Sequence, residues 1–181
     1  MAGSFFLDKS DPGSWRALNG LALKVSASAE AAGLSRAVVE LLNVRVSQLN
    51  GCAYCLDLHD RLAREAGVGA QQLAVLPAWR EAGIFTAIER AALAIGEAAT
   101  ALAIGEAATA LHDHDTPAEL AAARTVLTNA QFSALQWCAI TMNAFNRVSV
   151  LSGHPVRPRR PLAGTIDQTE PASQASAGVL S

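Results

Sequence analysis

Cys52 and Cys55 stand three residues apart, and His59 follows four residues after the second cysteine. On one helix those steps turn by about 300° and 400°, so the three side chains fall within one narrow sector. Asn50-Gly51 precedes the pair and breaks the previous helix, which puts both thiols in a first helical turn. There the unpaired backbone N–H groups and the positive end of the helix dipole favour a thiolate. Thiol pKa values in such settings fall to roughly 3.5–7.5. Two thiols at this spacing can also close a disulfide, so the site can cycle between dithiol and oxidised forms. Glu40 lies twelve residues before Cys52, on a helix that the Asn50-Gly51 break lets fold back. A carboxylate buried beside an imidazole is a natural base, with a pKa expected to rise by desolvation. The expectation is a proton relay from Glu40 through His59 to Cys55, with Cys52 nearer the helix start and the solvent.

The same residues admit a second chemistry. Cys52, Cys55 and His59 supply three of the four ligands a closed zinc site needs, with Glu40 or a histidine of the His112/His114 turn as the fourth. The C-x2-C-x3-H spacing is tight for tetrahedral ligation, and no second C-x-x-C is present. Cys138, in the apolar run LQWCAI, reads as an inert core residue. His112, His114 and His154 fall on polar loops and are expected to be exposed. Asn143, Asn146 and Arg147 share one helix face and predict a structural hydrogen-bond network near a subunit contact. Gln48 and Asn50 are expected to bond to the turn before the cysteines. Tyr54 either lines the pocket or packs.

The elements that must position these groups are helices, one after another, with no sustained period-two alternation. Asp11-Pro12 starts a helix toward Ala32 that Gly33 ends, and Ser35 caps a second through Val46. A third runs from Cys52 to Ala66. Short helical pieces follow at 71–76 and 78–82, then a long helix from Thr86 to Leu111. Thr116-Pro117-Ala118-Glu119 reads as a helix start, with a capping threonine, proline at the first position and a glutamate three residues after the cap. Helices over 117–127 and 130–151 complete an all-α bundle. The domain is placed at residues 1–155. Residues 156–181, beginning with a Pro/Arg run and continuing rich in Ser, Gln and Ala, read as a disordered tail.

ALAIGEAAT occurs twice in succession, at 92–100 and 101–109. A nine-residue step turns a helix by about 900°, so the two copies face opposite ways. Two opposite faces are then apolar, one for the core and the other for a partner surface or second layer.

Of 181 residues, 51% are hydrophobic and only 5% aromatic, while 38 are alanine, a composition that favours closely packed helices. A net charge of −2 excludes a strongly basic nucleic-acid binder and leaves no polybasic membrane patch. Phe5-Phe6-Leu7 is too short for a signal-peptide core, and Glu97 and Glu106 interrupt the stretch long enough to span a bilayer. A cytoplasmic, reducing setting is expected, in which paired cysteines are more often catalytic or metal-binding than structural.

The stretch RVSQLNGCAYCLDLH resembles the signature of the carboxymuconolactone decarboxylase superfamily in its alkylhydroperoxidase D-like branch, and ITMNAFNRVSV resembles that family's second recurrent segment. The resemblance covers residues 13–155 and implies an all-helical trimer or hexamer. It also implies a thiol peroxidase or disulfide oxidoreductase without a bound cofactor. By position, Cys55 becomes the peroxidatic cysteine that passes through a sulfenic acid. Cys52 becomes the resolving cysteine, and Glu40 and His59 serve the relay. The implied substrate is a hydroperoxide or disulfide, and the implied electron source an external thiol system, lipoyl-bearing or peroxiredoxin-linked. Two departures stand out. Tyr54 occupies a position where some members carry a second histidine, and the nine-residue duplication lengthens the family's usual helix. The founding decarboxylases lack the cysteine pair, which argues against lactone decarboxylation.

Overall fold

Several helix starts follow from side chains that satisfy the free N–H groups of the first turn. The computed structural model of the protein describes residues 5–103, 115–156 and 158. Among the described residues there is no strand. The elements are α1 (Leu7–Ser10), α2 (Pro12–Ala31), α3 (Arg36–Leu49), α4 (Ala53–Glu65), α5 (Ala70–Val75), a 3-10 turn (Leu76–Ala78), α6 (Ala87–Ala103), α7 (Asp115–Val126) and α8 (Asn129–Ser152). Asp11 accepts from the N–H groups of Gly13 and Ser14 ahead of α2, and Ser35 from that of Val38 in α3. Thr128 and Gln131 cap α8 reciprocally. Thr86 and Glu89 do the same for α6. Each such cap contributes about 0.5–2 kcal/mol.

Two local expectations fail for identifiable reasons, and one short helix was not anticipated. Residues 78–82 form no α-helix. Arg90 instead donates to the carbonyl oxygens of Trp79 and Arg80, while the Trp79 indole turns inward to Glu97. Helix α7 begins at Asp115, one residue before the expected threonine cap, and the Glu119 carboxylate is engaged by Arg80. The unanticipated α1 is tied to the far end of the chain by the Leu7 N–H, which donates to Ser152 Oγ at 2.9 Å. The second copy of the repeat from Ile104 on, the His112-to-His114 turn and nearly all of the expected tail lie outside the described residues.

The core divides into two clusters that share α3 and α6. Leu42 and Val46 of α3, with Ala92 and Ile95 of α6, pack against Val25 and Ala29 of α2 and Leu135, Ala139 and Met142 of α8. Leu41 and Val44, with Leu93 and Ala94, pack against Ala63, Leu76, Trp79 and Phe85 on the other side. Leu41, Leu42 and Leu93 are fully buried, and each such side chain stabilises by about 1.5–3 kcal/mol. Both faces of the first repeat copy are thus covered within one chain. The face expected to meet a partner surface or a second layer meets a second layer, made by Leu41, Trp79 and their neighbours. Gly96 allows the close approach of the two central helices. A Cβ there would lie 3.3 Å from Val46 Cγ2 and 3.4 Å from Leu42 Cγ.

Glu97, also in the first copy, ties three segments together. It accepts from Arg45 Nε at 2.6 Å and Trp79 Nε1 at 2.9 Å, and pairs with Arg80. Burial would raise its carboxyl pKa, but these three donors outweigh burial and hold it below the ordinary value. No described helix is long and apolar enough to cross a membrane.

Candidate functional site

The cysteine turn is built by α3, the start of α4 and α8 together. Asn50 closes α3, and Gly51 takes a left-handed φ of 63°, which a side chain would strain. Cys52 is then the N-cap of α4, with extended backbone, and its sulfur accepts the Cys55 N–H at 3.3 Å. The two sulfurs are joined as a disulfide, with Cα atoms 5.3 Å apart.

A buried amide network fixes this turn. Asn50 Nδ2 donates to Asn143 Oδ1 and Asn146 Oδ1, both at 2.9 Å. Asn146 Nδ2 donates to Ser47 Oγ at 3.2 Å, and Asn143 Nδ2 to Thr100 Oγ1 at 3.1 Å. Arg147 donates to the Asn143 carbonyl at 2.9 Å. The network expected from the sequence is therefore present, and inside the chain it anchors the loop that carries the cysteines. Asn50 does bond structurally, but to α8 instead of to the turn it was expected to brace. The Gln48 side chain does not brace that turn either, since its Oε1 accepts from Arg45.

Glu40 is fully buried in α3, and its Oε2 lies 2.6 Å from His59 Nδ1. Asn43 Nδ2 donates to the same oxygen at 3.4 Å. Arg36 Nη2 lies 2.5 Å from Oε1, an ion contact without hydrogen-bond alignment. Burial pushes the Glu40 carboxyl upward, but the hydrogen bond and charge of His59 prevail, with Arg36 and Asn43 adding to them. Its pKa therefore falls below the ordinary value, which reverses the sequence-based expectation. An ionised Glu40 requires a proton on His59 Nδ1, which leaves Nε2 as the basic nitrogen of the neutral ring.

A cavity of about 780 Å³ opens beside these groups, lined by Glu40, His59 and Cys55 together with Tyr54, Cys138 and Thr141. Cys52 and Cys55 are both buried, 2% and 3% exposed, and of the two it is Cys55 that lines the cavity, so Cys52 is not the solvent-facing member expected from the sequence. Cys138 is buried, and desolvation, with the Glu40 charge adding to it, pushes its thiol up to about 11, as suits an unreactive group. Among the described residues, no group of three or more His, Cys, Asp or Glu side chains is arranged to hold a metal ion.

His154, expected on an exposed loop, is instead part of the cavity wall. Its Nε2 lies 3.1 Å from Asp8 Oδ1 and its Nδ1 3.3 Å from Ser149 Oγ. Its ring stacks on Phe6, with centroids 5.6 Å apart, and meets Tyr54 edge-on at 5.4 Å. Asp8 and His154 are 146 residues apart, a contact no local spacing could signal. The proximity of Phe6 and Asp8 to a helix cap at the other end of the domain became visible only in the fold.

With the geometry established, comparison with known proteins places the chain. The carboxymuconolactone decarboxylase family profile matches residues 14–98. The uncharacterised protein YdfG of Bacillus subtilis is 31% identical over 121 residues, which is 67% of this chain and 77% of that one. The chain belongs to the carboxymuconolactone decarboxylase family, in its AhpD-like branch. Alkyl hydroperoxide reductase AhpD of Bradyrhizobium sp. is 42% identical over 69 residues, a match spanning 37% of this chain and 38% of that relative. Among solved structures, ATU0492 of Agrobacterium tumefaciens, described as a protein of unknown function and a candidate AhpD antioxidant defence protein, superposes with a TM-score of 0.69. The identity is 28%, and the match covers 85% of this chain and 99% of that one.

Proposed function

We propose that the protein is a thiol-dependent peroxidase that reduces hydroperoxides through the Cys52–Cys55 couple. The observation that carries this reading is a closed disulfide at the start of α4 whose Cys55 shares a cavity with the Glu40–His59 pair. In the dithiol form, His59 takes the Cys55 proton, and Glu40 stabilises the imidazolium at 2.6 Å. The Cys55 thiolate attacks the terminal oxygen of R–O–O–H. An S–O bond forms and the O–O bond breaks, leaving a sulfenic acid and an alkoxide. The alkoxide takes the proton from His59 and leaves as the alcohol. Cys52 gives up its proton as it attacks the sulfenic sulfur; an S–S bond forms, the S–O bond breaks, and the departing hydroxide takes that proton and leaves as water. Two thiols are oxidised as one peroxide is reduced. An external dithiol, of the lipoyl or peroxiredoxin-linked kind, restores the starting state by thiol–disulfide exchange.

Thiol titration of the reduced protein, before and after one equivalent of tert-butyl hydroperoxide, tests this. The expected result is loss of two thiols per chain in the native protein. Cys55→Ser should lose none, and Cys52→Ser should yield a sulfenic acid that a dimedone-type reagent traps. Retention of all thiols by the native protein would overturn the reading.

A further inference from the structure

His154 is engaged by Asp8 and Ser149 through its two ring nitrogens, so neither is left to act on a substrate. What the residue does is hold. Its ring carries the Phe6 ring on one side and the Tyr54 edge on another, and the Leu7 N–H is bonded to Ser152 two residues upstream. Lys9 Nζ lies 4.4 Å from the centre of the Phe6 ring. Phe6, Asp8, Lys9, Tyr54 and His154 line the cavity that Cys55 lines. One side of that cavity is therefore made by a short N-terminal segment held by the His154 imidazole and by the Leu7 N–H bond to Ser152. The volume, about 780 Å³, far exceeds what hydrogen peroxide fills, and much of the lining is apolar, including Trp15, Leu23, Met142 and Phe145.

We propose that the Asp8–His154 pair is a latch that holds residues 6–9 as a wall of the Cys55 cavity, and that this wall selects bulky apolar substrates over small ones. The inference rests on the proposed peroxidase reading for its substrate but not for its geometry. Phe6 supplies the apolar surface, His154 holds the ring in place, and Asp8 holds His154. His154 is thus a positioning residue. Removing either member of the latch loosens the Phe6 and Asp8 side of the wall, leaving the Leu7 N–H bond to Ser152 as the segment's tie to α8, while Cys55, His59 and Glu40 stay as they are.

The experiment uses the oxidised full-length protein and cumyl alcohol, the unreactive product of cumene hydroperoxide. Binding is measured by titration calorimetry for the native protein, His154→Ala and Asp8→Asn. Expected is saturable binding to the native protein and an approximately tenfold weaker Kd in both variants, with faster amide exchange at residues 7–10. In reduced protein, oxidation by cumene hydroperoxide should slow severalfold in both variants, while oxidation by hydrogen peroxide stays within twofold of native. A purely structural role would slow both oxidants alike. No binding by the native protein, or equal affinity in folded variants, overturns the latch. Failure of the peroxidase reading is separately visible as native protein that binds the alcohol but keeps its thiols.

Discussion

Replacing Glu40 by glutamine isolates the carboxylate charge beside His59. Glutamine keeps the volume and an oxygen that can accept from Nδ1, so the fully buried site does not collapse. What is lost is the charge in a 2.6 Å contact that stabilises the protonated imidazole. Hydrogen bonds to charged groups contribute about 1.5–3 kcal/mol, and each 1.36 kcal/mol is about tenfold in rate. The expected slowing of Cys55 oxidation at neutral pH is therefore about ten- to a hundredfold, read as the second-order rate of thiol loss with tert-butyl hydroperoxide. Stability gives a second reading. The folded-state carboxyl of Glu40 titrates below its ordinary 4.5. Between that depressed value and 4.5 the unfolded chain binds more protons than the folded one. The stabilisation is thus complete above pH 4.5 and drains away as the pH falls through the folded-state value. Glu40→Gln lacks this contribution, so the stability gap between native and variant should narrow as the pH drops from 5 toward 3. An oxidation rate equal to native, with a gap that stays constant across that window, would refute the assigned role of the charge.

Two further outcomes follow from the packing. Asn146→Ala leaves Ser47 Oγ and Asn50 Nδ2 each without one buried partner. It should cost about 2–4 kcal/mol by urea unfolding and loosen the cysteine turn, seen as faster amide exchange at Cys52. Cys138 should resist iodoacetamide at pH 8 in the folded protein, with a thiol near 11, and react readily once urea unfolds the chain.

Much of the candidate site could be read from local spacing. Cys52, Cys55 and His59 span about two helical turns, so their common side follows from helical geometry alone. Glu40 needed only the fold-back at Asn50-Gly51. Capping residues such as Ser35 and Asp11 act within four positions and were equally visible. What escaped were groups whose partners lie far along the chain. His154 looks like a loop residue until Asp8 is brought to it, and Glu119 looks like a cap until Arg80 claims it. The direction of the Glu40 shift also escaped, because burial was foreseen but the number of donors around the carboxylate was not. The repeat left two outcomes open, a partner surface or a second layer. Around the first copy the second layer forms, since two clusters of the chain's own flank α6, while the second copy from Ile104 on lies outside the described residues.

Both bridged cysteines are buried, and of the two Cys55 is the one among the residues that line the cavity. On the proposed chemistry, an oxidant and a reductant that both reach Cys55 through this cavity must do so at different times. The peroxide has to be converted and its alcohol gone before a donor thiol can reach the bridge from the same side. Turnover becomes an alternation of two half-reactions, in which an excess of either visitor obstructs the other.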